Sequence, residues 1–179
     1  MSGTSVYLLV RPKIPDLVAI SARRALTDRL GLNAAVLGLD REDLWEITCG
    51  PEVGAADLVE RILDASTVLA NTSKQFVRMR DKELPQPLAG PDGTLPTRVE
   101  VEEASEAIAE REVLRNVYGF DEIVGLRQSV VWTLHLDAGL SDGSREEVIE
   151  RAVVTRSRLT GLLVNPHYQE HRFLDLEPM

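Results

Sequence analysis

The residues of this 179-residue chain that could carry chemistry are few: His135, His167 and His171, the single Cys49, and a run of glutamates between Glu102 and Glu112. His167 and His171 are four apart, a spacing that brings two metal ligands together on a helix. Pro166 stops the helical pattern just before them, so the pair is expected on a loop and a strand, and no metal site is expected. Cys49 sits in a strand-like segment with no histidine near it in sequence, and it reads as a small buried filler rather than a nucleophile. His135 shares one side of an alternating segment with Val131 and Thr133, as an exposed or hydrogen-bonded sheet residue. The glutamates read as the solvated face of a helix. There is no Gly-x-Gly-x-x-Gly, no phosphate loop ending in Gly-Lys-Ser/Thr, no Gly-x-Ser-x-Gly and no Cys-x-x-Cys. The reading is therefore of no catalytic residues, no metal and no cofactor.

Charge narrows the class of partner. The formal net charge is −9, Lys13, Lys74 and Lys82 are the only lysines, and the 17 arginines are spread among acids. A protein built to neutralise phosphates presents a basic face, so nucleic acid and anionic membrane surfaces are disfavoured. No apolar run approaches the roughly 20 residues that span a bilayer, and the first residues lack the charged start of a signal peptide. One cysteine allows no internal disulfide, which suits a reducing cytoplasm.

The elements that would position these residues occur twice. Val6 to Val10 is a short apolar strand stopped by Arg11-Pro12. A helical stripe runs from Asp16 through Val18, Ala22, Leu26 and Leu30 to a stop at Gly31. Ala34–Leu39 and Leu44–Cys49 read as two short strands around the charged run Asp40-Arg41-Glu42-Asp43. A second helix carries Leu58, Ile62, Ala65 and Leu69 and ends at Asn71, with Gln75–Met79 as the closing strand. Residues 81–96 form a Pro/Gly-rich linker. Beyond it come a strand at Arg98–Val101, a helix over Glu102–Tyr118, and strands at Ile123–Leu126 and Val130–Leu136. A helix capped by Ser144 and Glu147 follows, reaching past Leu159 and Leu163 to Asn165-Pro166, and Glu170–Leu176 is the closing strand. Gly38 precedes Trp45 by seven residues and Gly125 precedes Trp132 by seven. Leu30-Gly31-Leu32 echoes Tyr118-Gly119-Phe120, and Leu69-Ala70-Asn71 echoes Val164-Asn165. An internal duplication accounts for these landmarks. The expected fold is α+β: two tandem ferredoxin-like βαββαβ halves, residues 1–80 and 97–179, each an antiparallel sheet with helices on one face, paired about a pseudo-two-fold.

The order of elements, with Val6-Tyr7-Leu8-Leu9-Val10-Arg11-Pro12, Leu69-Ala70-Asn71 and Leu162-Leu163-Val164-Asn165-Pro166, resembles the PurS family, the small subunit of bacterial phosphoribosylformylglycinamidine synthase. Family members look like a single half. Ile14-Pro15-Asp16-Leu17 departs from the family's Asp-Pro-Gln-Gly, the Gly-Lys of the strand pair is missing from both halves, and Thr72 stands where Pro is expected. The resemblance implies a non-catalytic, cytoplasmic subunit of purine biosynthesis. Its partners would be the glutaminase and the synthetase of an ATP- and glutamine-dependent ligase, and further self-association is open through unpaired outer strands. Candidate partner contacts are Asn71 and Asn165 at the two helix ends, with Arg11, Arg127 and His167 near them. The alternative is a ferredoxin-like regulatory module that binds a small metabolite between its halves.

Overall fold

The computed structural model describes residues 4–51, 54–103, 107–157 and 160–174. Among them are six strands and four helices, in the order β1 (Thr4–Pro12), α1 (Leu17–Asp28), β2 (Val36–Cys49), α2 (Ala55–Ala65), β3 (Gln75–Asp81), β4 (Thr94–Glu103), α3 (Ile108–Asn116), β5 (Ile123–Asp137), α4 (Asp142–Val153) and β6 (Gln169–Phe173). The class is α+β with antiparallel strands.

The described residues form two compact units. One draws on Met1–Ile14, Glu42–Gln86 and Ser105–Ser129, the other on Pro15–Arg41, Pro87–Ala104 and Val130–Met179. In the first unit the strands neighbour one another in the order β3-β1-β2-β5, and in the second β2-β5-β4-β6. Each unit therefore contains strands from both sides of the linker. The first unit holds α2 and α3; the second holds α1 and α4.

Each unit has its own core. In the first, Val6, Leu8 and Val10 of β1 and Trp45, Ile47 and Cys49 of β2 share one face by alternation, and Leu58, Val59 and Ile62 of α2 and Leu114 of α3 close over it. In the second, Val99 and Val101 of β4 and Trp132, Leu134 and Leu136 of β5 meet Leu26 of α1 and Val148, Ile149, Ala152 and Val153 of α4. A fully buried aliphatic side chain is worth roughly 1.5–3 kcal/mol, so the three buried residues on a single face of α2 anchor that helix.

Two expected hairpins are absent. Ala34–Leu39 and Leu44–Cys49 are not separate strands, because β2 runs unbroken through Asp40-Arg41-Glu42-Asp43. Likewise Ile123–Leu126 and Val130–Leu136 fuse into β5. Neither Asp40–Asp43 nor Arg127–Ser129 holds a Gly, Asn or Pro, the strongest turn residues. Three of the four charged residues in this run are instead taken up in place: Asp40 bonds His135, Arg41 lies 3.7 Å from Asp16, and Glu42 pairs with Arg78. As a result, Val36–Arg41 belongs to the second unit and Glu42 onward to the first.

The helix boundaries also differ in part. Asp16, where the helical stripe was expected to begin, caps α1, its Oδ1 accepting the Val18 and Ala19 amides. α1 and α3 end alike. Gly31 (φ +66°) and Gly119 (φ +76°) take the left-handed conformation, and the next amides, Leu32 and Phe120, return to the carbonyls of Leu26 and Leu114 at 3.2 and 3.1 Å. α2 stops at Ala65, six residues before Asn71, with the Ser66 hydroxyl folded back onto the Ile62 carbonyl. The cap of α4 is Ser141 rather than Ser144; its Oγ accepts the Ser144 amide. α4 ends at Val153, where Gly161 (φ +72°) lets the chain fold back so that its amide bonds the Arg151 carbonyl at 2.7 Å. The expected helical position at Leu159 lies outside the described residues, as do the last two residues of the strand expected to reach Leu176. β4 extends to Glu103, where a helix start was expected, and β4 also takes in Pro96 from the expected linker.

Candidate functional site

The two asparagines stand in turns, not at helix ends. Asn71 Oδ1 accepts the Ser73 amide at 3.1 Å, the Asn71 carbonyl accepts the Lys74 and Gln75 amides, and Gln75 Oε1 accepts the Asn71 amide at 2.7 Å. The second turn repeats this bond for bond. Asn165 Oδ1 accepts the His167 amide at 3.1 Å, its carbonyl accepts Tyr168 and Gln169, and Gln169 Oε1 accepts the Asn165 amide at 2.9 Å. Neither asparagine has a left-handed backbone; among the described non-glycine residues only Lys82 does. The side chain bonds its own turn, which is the other use to which Asn is suited. The signal missed in the sequence is the glutamine four residues after each asparagine.

Each turn feeds an outer strand, β3 in the first unit and β6 in the second. Seven residues beyond each asparagine an arginine meets a buried carboxylate. Arg78 Nη2 donates to both oxygens of Glu42 at 2.8 and 2.6 Å, and Arg172 Nε donates to Glu100 at 2.6 Å. Glu42 and Glu100 are 2% and 3% exposed, so these are charge-assisted bonds made out of water. Arg78 also donates through Nη1 to the carbonyl of Gln86, tying the start of the linker to the sheet.

The structure brings Arg11 and Asn71 to one end of the first unit. Arg11 lies opposite Phe76 in the β1–β3 register, with its guanidinium carbon 5.0 Å from the ring centroid. Lys13 Nζ sits 5.5 Å from the same ring and donates to the Thr72 carbonyl at 2.8 Å. The backbones of Lys13 and Lys74 are joined by a hydrogen bond of 2.9 Å. Arg127, on β5 of this unit, pairs with Glu46 at 3.2 Å, and Glu46 also accepts the Tyr7 hydroxyl. Asn165 and His167 belong to the second unit, where the His167 ring lies edge-on to Tyr168. Sequence reading found Arg11 but missed Lys13, Lys74 and Phe76, although the alternation across Arg11–Lys13 and Lys74–Phe76 would have put them together.

The other polar side chains of interest are held inside the sheets. His135 is 1% exposed, its Nε2 is 2.7 Å from Asp40 Oδ2, and its ring is packed against Gly38 of β2 and Gly90 of the linker. His135 is thus the hydrogen-bonded sheet residue of the two expected forms. Cys49 is buried, and burial first, then the charges of Glu122 and Asp81, push its thiol above the usual range. A neutral buried thiol is a filler, not a nucleophile. Glu122 is held below the ordinary carboxylate range by a hydrogen bond from its own backbone amide and then by Arg61, against partial desolvation. Among the described residues no group of three or more His, Cys, Asp or Glu could hold a metal, and no helix is long and apolar enough to cross a membrane.

The second unit also carries an open groove of about 560 Å³ lined by Leu17, Val18, Ala22 and Ala25 of α1, Trp132 of β5 and Leu162. Ser21 is its one polar side chain. Family models, curated proteins and solved structures yield no match to the chain.

Proposed function

We propose that this chain is a non-catalytic assembly subunit, a PurS-like dimer made in one polypeptide, that joins the glutaminase and the synthetase of a cytoplasmic phosphoribosylformylglycinamidine synthase. The observation that carries this reading is the composition of the two units: each takes strands from both sides of the linker and one helix from across it. Two copies that exchange a helix and half of a long strand, and are then joined end to end, would give this wiring. The matched Asn-x-x-x-Gln turns and the matched glycine stops of α1 and α3 support the duplication. Covalent joining replaces dimerisation by a high effective concentration. Edge strands β3 and β6, with Arg11, Asn71, Arg127, Asn165 and His167 near them, would supply the partner contacts.

Affinity purification of the tagged chain from its native cells, with glutamine and nucleotide present, tests this. Co-purification of a glutaminase and an ATP-dependent synthetase is the expected result; reproducible recovery of the chain without either ends the proposal. The groove favours the second reading, of a small-ligand module, because its lining joins residues 17–25 with residues 132–163, from opposite sides of the linker but within one unit. Its apolar walls call for an apolar ligand, and a saturable thermal shift with such a compound, in the absence of protein partners, would favour that reading.

A further inference from the structure

We propose that the outer edge of β3 is a docking strand for an acidic, extended segment of a partner protein, added to the sheet as a further strand. This rests on the assembly-subunit reading only in supposing a protein partner. Among the described residues β3 pairs with β1 alone, so the backbone groups on its other side have no neighbouring strand there. An extended peptide can satisfy such groups with its own backbone and find specificity through alternate side chains. The side chains around this edge state which peptide fits. Arg11 and Lys13 lie over Phe76, Lys74 is bonded to Lys13 through the backbone, and two of the three lysines in a chain of charge −9 are here. Among the described residues these three cations make no ion pair, whereas Arg78 and Arg80, further along β3, are paired with Glu42 and Glu83. Phe76 remains 47% exposed. On the alternate face of β3, Val77 and Met79 are half-buried against the core. An incoming strand would therefore carry carboxylates on one face and aliphatic residues on the other.

The second unit supplies the internal comparison. Its turn keeps the asparagine, the glutamine and the arginine in the same places, but at the positions of Lys74 and Phe76 it has Tyr168 and Glu170. What the turn and strand need is common to both copies. The basic and aromatic groups are not part of that need, so they are open to a role at the surface. Lysine on an edge strand also serves to keep edges apart, but that role does not call for a half-exposed phenyl ring between the cations.

The test is a fluorescence-anisotropy titration of the intact chain with a labelled peptide alternating glutamate and valine, at low and at raised salt. The expected result is saturable binding that weakens with salt. A K13E/K74E chain is expected to weaken it at least about tenfold, with F76A giving a smaller loss. A peptide N-methylated at alternate residues, which cannot complete the ladder, should not bind. All three positions are at the surface, and circular dichroism of each variant checks that it folds. Absence of saturation, equal binding by K13E/K74E, or equal binding of the N-methylated or of a lysine–valine peptide overturns the proposal. So does equal affinity for oligodeoxythymidine, which would make the patch a general polyanion surface. The titration contains no complex subunits, so it can succeed where the purification fails, and the reverse.

Discussion

The pair of Arg78 and Glu42 offers the sharpest test of how the sheet is built. Glu42 stands in the middle of β2, where a turn would have put it in solvent, and is 2% exposed. Its two oxygens are both held by Arg78 Nη2, whose side chain is 29% exposed. Replacing Arg78 with Met keeps the aliphatic stem and leaves a carboxylate buried without its cation. Breaking a buried pair in this way costs about 3–5 kcal/mol, and the partial exposure of Arg78 reduces that to about 2–4. For a chain of this length about 3 kcal/mol corresponds to a fall of roughly 6–12 °C in melting temperature. The double variant E42L/R78M removes both charges and should return to within about 1 kcal/mol of the parent. Urea unfolding of the parent, both single variants and the double variant gives the coupling energy directly. The reasoning fails if R78M costs less than about 1 kcal/mol, or if the double variant is no more stable than R78M. The pair of Arg172 and Glu100 gives a graded comparison: Glu100 is as buried as Glu42, but Arg172 is 56% exposed, so R172M should cost less than R78M, about 1–3 kcal/mol.

Three further outcomes follow from the geometry. N71A and N165A should each destabilise by about 1 kcal/mol through the lost side-chain bond to the turn, and the two should add because the turns lie in separate units; chemical denaturation of the singles and the double checks this. A methyl at Gly90 would meet the His135 ring and approach Thr94 Oγ1 to 2.7 Å, so G90A should cost about 1–3 kcal/mol by overpacking; adding H135A to G90A should recover part of the loss, as read by thermal melts. Glu122 is held below its ordinary range in the folded chain, so its contribution is present above the unfolded carboxylate pKa and is lost as pH falls through the lower folded value; E122Q should flatten that part of the acid limb of a stability–pH profile by lowering stability slightly at neutral pH while leaving the acid end unchanged.

How much of this was legible in the sequence depends on which physical signal each element sends. The apolar runs and helical stripes of β1, α1 and α2 declared themselves because burial sets their period, and the glycines at 31 and 119 declared the helix stops. The two long strands did not. A cluster of charges was taken for a turn at residues 40–43, yet polarity alone does not reverse a chain. Gly, Asn and Pro are the strongest marks of a tight turn, and the absence of all three between Gly38 and Gly50 was the available sign. Three of the four charges meet partners from elsewhere in the chain: His135, Asp16 and Arg78. No local pattern reveals such a partner before the fold is known.

The candidate site shows the same division. Asn71 and Asn165 stood out as an echo, but an echo of what the backbone requires marks the turn, not the work done beside it. Bond for bond, the two turns are the same object, so their shared residues are accounted for by folding. The positions that differ between them carry no such obligation. At those positions one turn has Lys74 and Phe76 and the other Tyr168 and Glu170, and Arg11 and Lys13 join the first set through the β1–β3 register. On the proposed duplication, then, the search for function is better directed at where the two turns disagree than at where they agree. The surface that results is a basic, half-apolar strand edge on an acidic protein, which composition summed over 179 residues conceals because the other acids outweigh it.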